Sequence, residues 1–124
     1  MSDTEAVVMA NLTMAEDQSY SSVKEEILKE AFYVNCSDED IRFAQPLLVP
    51  EASAPFLTPV ITTEEKFGQI PRVYISCLRD KAISPAIQEK MYTNLPCKKI
   101  FRMDTDHSPF FSAPEDLARH LLLI

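Results

Sequence analysis

One glycine in 124 residues, Gly68, sets the tightest limit on what this chain can build. Glycine supplies positive φ and close backbone approach without steric cost. Dinucleotide turns of the GxGxxG kind, phosphate-cradling P-loops and GxSxG nucleophile elbows all depend on it. None of these fits here, so catalysis by this chain must dispense with such parts or borrow them. Nine prolines interrupt the chain as well. At this length about two thirds of the unfolded chain's surface is buried on folding, enough for one modest core. With 46% hydrophobic and 25% charged residues the composition is that of a globular domain.

The net charge of −7 is unevenly spread: residues 1–50 hold ten acids and three bases, and residues 51–124 hold nine of each. A negative chain repels phosphate backbones, so nucleic acid and anionic membrane are excluded as expected partners. No apolar run approaches the ~18 residues of a membrane span, and no basic start precedes an apolar stretch. A cytoplasmic location is the expectation. Cys36, Cys77 and Cys97 form no CxxC pair and are odd in number, which predicts reduced thiols rather than a disulfide framework or zinc knuckle.

Residues 1–18 show no clean period and predict no regular element. From Ser21 or Ser22, Val23, Ile27, Glu30, Ala31 and Val34 approximate helical spacing, with Lys29 facing Glu25, and predict a helix of about three turns. Ser37, with Asp40 three positions on, opens a second helix that Pro46 stops or kinks. Prolines 46, 50, 55 and 59 mark an ordered, irregular connector. Thr62 or Thr63 caps a short expected helix through Glu64 to Phe67, with Gly68 as its C-cap. Arg72 to Cys77 is β-branched and apolar, a strand buried in a parallel sheet. Ser84-Pro85 opens a helix through Ile87, Met91 and Leu95, and Lys99 to Met103 is a second strand. Ser112 and Glu115 read as a capping box for a last helix, Pro114 to Leu123. The β-α-β order makes the two strands parallel by the crossover rule. No other clear strand is legible upstream, and two parallel strands are too few to stand alone, so the chain reads as part of a larger sheet.

In open α/β sheets the working groups lie in loops beyond the carboxyl ends of the strands. Asp80 follows the first strand and His107 the second. A carboxylate there can fix the histidine tautomer and stabilise the imidazolium, leaving Nε2 as general base. An ordinary loop aspartate and a solvated histidine beside Asp106 are the bland alternative. Ser84, Ser108 and Ser112 are nucleophiles by type only, with capping the simpler role for Ser84 and Ser112. Cys77 reads as a buried structural thiol. Asp104, Asp106 and His107 are too few for a metal site. His120 reads as a surface or partly buried helical residue.

The run Arg72-Val73-Tyr74-Ile75-Ser76-Cys77-Leu78-Arg79-Asp80-Lys81-Ala82-Ile83, followed by Asp106-His107-Ser108-Pro109 and a Pro-Glu-Asp-Leu helix, resembles the C-terminal part of the plant methylesterase and hydroxynitrile lyase family of α/β-hydrolases and its bacterial esterase relatives. Tyr33 to Asp40 and Lys66-Phe67-Gly68 are similar to that family's cap region and the approach to its penultimate strand. The resemblance implies an α/β fold comprising a helical cap segment (residues 1–58, with the Pro-rich connector) and the last two parallel strands with their helices (residues 59–124). It implies Asp80 as triad acid and His107 as triad base, and no cofactor or metal. Ser108 stands where the lyases carry a lysine, which favours the esterase branch. By the same analogy Met14, Phe32, Tyr33, Phe43, Phe56 and Leu57 line an acyl or aromatic pocket, or else form ordinary core, as does the Phe110-Phe111 pair.

The family's serine elbow and oxyanion-hole amides lie in an N-terminal half that has no counterpart here. The expected chemistry is hydrolysis of a small carboxylic ester, with the serine supplied by that half and the present chain inactive alone. The expected partners are the small-molecule ester or aromatic acid, and either a nucleophile-bearing N-terminal half or a second copy joined along the exposed strand edge. The rival expectation is a non-catalytic ligand-binding or assembly module on a partial hydrolase framework.

Overall fold

The computed structural model describes residues 6–124. Strands β1 (Leu12–Met14) and β2 (Tyr20–Val23) form a hairpin, and β3 (Glu51–Ala52) pairs with the other edge of β2. This antiparallel sheet, of order β1-β2-β3, stands upstream of Arg72, where no clear strand is expected: β1 falls among residues with no expected element, β2 at the start of the expected helix and β3 in the proline connector. Ser21 to Val23 falls at the start of the expected helix. It is a strand because it finds backbone partners on both sides, and contacts of that kind override weak local propensity. At the hairpin turn Gln18 adopts φ 59°, Ala15 N–H donates to Tyr20 O, and Asp17 Oδ1 accepts from both the amide and the hydroxyl of Ser19.

A 3₁₀ turn at Glu25–Ile27 leads into α1 (Leu28–Phe32), so the expected helix is shorter and starts later. Helix α2 (Asp38–Ala44) carries the expected reciprocal box: Ser37 Oγ accepts from the Asp40 amide, and Asp40 Oδ2 accepts from the Ser37 amide, each at 3.1 Å. The proline connector holds β3 and α3 (Ala54–Leu57), with Pro55 in the first turn of the helix. The helix expected at Glu64 to Phe67 is a turn followed by a 3₁₀ turn at Phe67–Gln69, and Gly68 is not a left-handed C-cap. What its missing side chain spares is a clash with the Glu64 carboxyl group, which lies where a Cβ would sit.

Strand β4 (Val73–Cys77), helix α4 (Pro85–Asn94) and strand β5 (Lys99–Met103) form the expected parallel unit, in register from Val73 opposite Lys99 to Cys77 opposite Met103. Ser84 Oγ caps α4 by accepting from the Ile87 amide, and Pro85 occupies the first helical position, where its missing N–H costs nothing. Helices α5 (Pro109–Ser112) and α6 (Pro114–Leu121) complete the order. The box expected between Ser112 and Glu115 does not form: Ala113 is the cap residue of α6 and Ser112 Oγ donates to Asp106 instead. An aspartate within reach of that hydroxyl offers a stronger, charge-assisted partner.

The buried apolar side chains are Leu28, Ala31, Tyr33, Ala44, Cys77 and Met103. Many large apolar residues stay open to solvent, Val60, Ile61 and Leu122 each by 85% or more. Exposed apolar surface on that scale is more than a self-contained domain usually shows, and among the described residues the parallel sheet has two strands where such sheets are covered on both faces and edges. Among the described residues, no helix is long and apolar enough to cross a membrane.

Candidate functional site

The loops after β4 and β5 meet, because parallel strands in register release their chains at the same end of the sheet. Leu78 N–H donates to Met103 O and Arg79 N–H to Thr105 O, each at 2.9 Å, which ties the two loops together before either turns away. Across them the Asp80 Oδ2 atom lies 2.9 Å from His107 Nδ1, bringing together the two residues singled out from the sequence.

Asp80 is buried, and its carboxylate is fully engaged. Oδ1 accepts from the amides of Ala82 (2.8 Å) and Ile83 (2.9 Å), so the loop's own backbone fixes the carboxylate plane. Oδ2 is left for His107 and for the Gln88 carboxamide at 3.3 Å. His107 is part-exposed, with 34% of its side chain accessible. With Nδ1 donating to Asp80, the imidazole presents Nε2 as an acceptor, the tautomer a general base requires. Its ring lies 5.4 Å from that of Phe32, at the end of α1, so the first segment of the chain touches the site through this contact.

A shallow cavity of about 250 Å³ opens beside His107 and is lined by Tyr74, Ile75, Ile83, Phe110 and Leu117, an apolar surface with Asp80 and His107 at its rim. A larger hollow of about 480 Å³, bounded by Asn35, Arg102, Thr105 and His120, contains neither Asp80 nor His107. Of the residues expected to line an acyl pocket, Phe32 alone meets the imidazole. Tyr33 is buried and packs on Phe32 and Phe111, whereas Met14, Phe43, Phe56 and Leu57 are exposed. In the Phe110-Phe111 pair, Phe110 borders the cavity and Phe111 packs against the rings of Tyr33 and Phe43.

Asp106 is neither solvated nor aimed at a metal. It is 1% exposed, Oδ2 accepts from the Asn35 amide (2.7 Å) and from Cys36 Sγ (3.5 Å), and Oδ1 accepts from the Ser108 amide (3.1 Å) and Ser112 Oγ (2.9 Å). It therefore clamps the loop bearing His107 to the turn between α1 and α2. Burial and the Asp106 carboxylate push the Cys36 thiol up to about 12, and Cys77 is raised chiefly by burial, so neither is an activated nucleophile. Asp104 pairs with Arg79 at the surface, holding its carboxyl below the usual range. Among the described residues no three His, Cys, Asp or Glu side chains are grouped to hold a metal. Ser84 caps α4, and Ser112 is committed to Asp106. His120 stacks on Phe101 at 4.5 Å, away from the site.

The sequence reading missed Gln88 and the clamp made by Asp106. Gln88 had a signal: it follows Ile87 and precedes Met91 by three, a polar residue bordering the apolar stripe of its helix. Asp106 gave none, because its partners at Asn35 and Cys36 are about seventy residues away.

No protein-family model matches the chain. It is 33% identical over 98 residues to putative methylesterase 14, chloroplastic, of Arabidopsis thaliana, a match covering 78% of this chain and 28% of that protein. Methylesterase 2 of the same plant is 33% identical over 119 residues, covering 90% of this chain and 44% of its own length. The crystal structure of another Arabidopsis methylesterase superposes with a TM-score of 0.76 at 29% identity, over 90% of this chain and 50% of that one. The chain thus spans half or less of the proteins it matches.

Proposed function

From a chain that carries the C-terminal portion of an esterase-type α/β-hydrolase related to the plant methylesterases, we propose a serine carboxylesterase site to which this chain contributes acid and base. The observation that carries the reading is the 2.9 Å contact between buried Asp80 and His107 at the carboxyl ends of two adjacent parallel strands. A serine on a glycine-rich elbow, supplied by an N-terminal half, attacks the carbonyl of a small ester. His107 Nε2 takes the serine proton and returns it to the leaving alcohol, while Asp80 holds the tautomer and stabilises the imidazolium. The half that brings the serine also brings the oxyanion amides, and it covers the apolar surface and the open edge of β4. No cofactor takes part in this scheme, and a cytoplasmic setting suits the three free thiols.

The test is reconstitution. The chain is co-expressed with the serine-bearing N-terminal half of a related methylesterase, and p-nitrophenyl acetate hydrolysis is followed with the parent and with His107→Ala. Loss of the base is expected to lower kcat/KM by roughly a thousandfold or more. Activity within a few fold of the parent refutes the assignment. A second reading, a non-catalytic module that binds small aromatic acids and assembles through the β4 edge, draws on the single glycine and the open sheet. Light scattering on the chain alone separates the two: a monodisperse homo-oligomer that binds such acids without turnover, and gains no activity from the added half, favours the module.

A further inference from the structure

We propose that Gln88 is the positioning residue of the acid-base pair: its carboxamide ties Asp80 to the open edge of β4, in the place a neighbouring strand would take at Cys77. The proposal deepens the reading of Asp80 and His107 as acid and base and rests on it.

In a parallel ladder the backbone groups of alternate residues point to opposite sides. Arg72 O accepts from Lys98 N–H and Leu78 N–H donates to Met103 O, so the even-numbered residues of this strand face β5. Cys77 therefore turns its N–H and C=O away from β5, toward the edge that carries no strand among the described residues. Both are met by one side chain. Gln88 Oε1 accepts from Cys77 N–H at 2.9 Å, and Gln88 Nε2 donates to Cys77 O at 3.0 Å, so the carboxamide stands in for a peptide group of a neighbouring strand.

The same Nε2 reaches Ile83 O at 2.9 Å and Asp80 Oδ2 at 3.3 Å, sharing its two hydrogens among three acceptors. Gln88 is 3% exposed, and polar groups so deeply buried are held to their partners, because water is not there to replace them. One carboxamide thus pins the start of the loop at Cys77, its end at Ile83, and the carboxylate between them. The oxygen it touches on Asp80 is the one that meets His107. An apolar residue makes none of these bonds, and a carboxylate makes only the one to Cys77 N–H while setting a second negative charge beside Asp80. The arrangement also sets where pairing along the open edge stops: Cys77 is taken, which leaves Val73 and Ile75 for any strand that docks there.

The test uses the full chain and NMR. The His107 Nδ1–H proton, held by Asp80, is assigned by its loss in His107→Ala and Asp80→Asn, and its exchange with water is then measured in Gln88→Met and Gln88→Glu. Both variants are expected to speed that exchange at least tenfold or erase the signal, with Gln88→Glu retaining the protection of the Cys77 amide. Asp17→Ala, which removes the hairpin-turn bonds to Ser19 and touches neither Asp80, Gln88 nor His107, serves as the control and is expected to leave the signal in place. A merely structural Gln88 lowers the unfolding midpoint but keeps the His107 proton in the folded molecules, and that outcome overturns the proposal.

Should neither variant fold, the parent decides. Its Gln88 side-chain amide protons are expected to exchange at least tenfold slower than a free carboxamide and to move in Asp80→Asn. Exchange at the free rate overturns the proposal. Because none of these readouts needs turnover, a failed reconstitution refutes the esterase reading and leaves the positioning role to be judged on its own result.

Discussion

Replacing Asp106 by asparagine tests how strongly the turn between α1 and α2 is fastened to the loop that carries His107. The carboxylate receives four donors, two on each oxygen, and is almost wholly buried. Asparagine keeps the shape but must direct its NH₂ at one of the two pairs. Turned toward Ser108 and Ser112, it finds the Ser112 hydroxyl able to reverse and accept, while the Ser108 amide loses its acceptor. Turned toward Asn35 and Cys36, it opposes an amide that now sits 2.7 Å from the oxygen. The first arrangement is the cheaper. It leaves one buried donor unpaired, at about 1–3 kcal/mol, and exchanges charge-assisted bonds for neutral ones, so the expected loss is about 2–4 kcal/mol. Against a total stability of about 5–15 kcal/mol that is a large fraction. Urea unfolding followed by circular dichroism measures it, and hydrogen exchange at the Asn35 and Ser108 amides locates it. Asp104→Asn, which touches the exposed Arg79 pair, is the matched control and leaves the midpoint near the parent's. A loss below about 1 kcal/mol for Asp106→Asn refutes the clamp, since burial and four donors then count for nothing.

Stability is expected to fall at alkaline pH. Cys36, Cys77, Tyr33 and Tyr74 are all raised, chiefly by burial, so the folded chain holds these protons more tightly than the unfolded one. Their contribution is complete below the ordinary thiol and phenol range and is lost as pH rises above about 9; an unfolding midpoint that stays level from pH 8 to 11 contradicts this. Alkylation by iodoacetamide at pH 8 is expected to modify Cys36 roughly a thousandfold more slowly than a free cysteine, in keeping with a thiol near 12, and peptide mapping reads the rate. At the hairpin turn Gln18→Gly relieves a left-handed conformation and is expected to raise stability by about 0.5 kcal/mol after the entropy of glycine is counted; thermal unfolding checks the sign.

What the sequence carried by itself was local. The run Val73 to Cys77, the Ser84-Pro85 start of α4, the strand Lys99–Met103 and the Ser37 box are each specified by residues within a few positions of one another, and they formed as read. The placement of Asp80 and His107 was legible for the same reason: both follow strands whose direction the crossover rule sets, so their loops had to open at one end of the sheet. Tertiary structure decided the rest. Tyr20–Val23 became a strand because Leu12–Met14 and Glu51–Ala52 flank it, a choice its own residues do not make. Ser112 left its expected cap for Asp106, and Asp106 met Asn35 from across the chain. Gln88 turned from a helix position into the partner of a strand edge because, among the described residues, no second strand pairs with β4 at Cys77. In each case a buried polar group took the partner that packing put within reach, and the separation along the chain is too long for any local pattern to record.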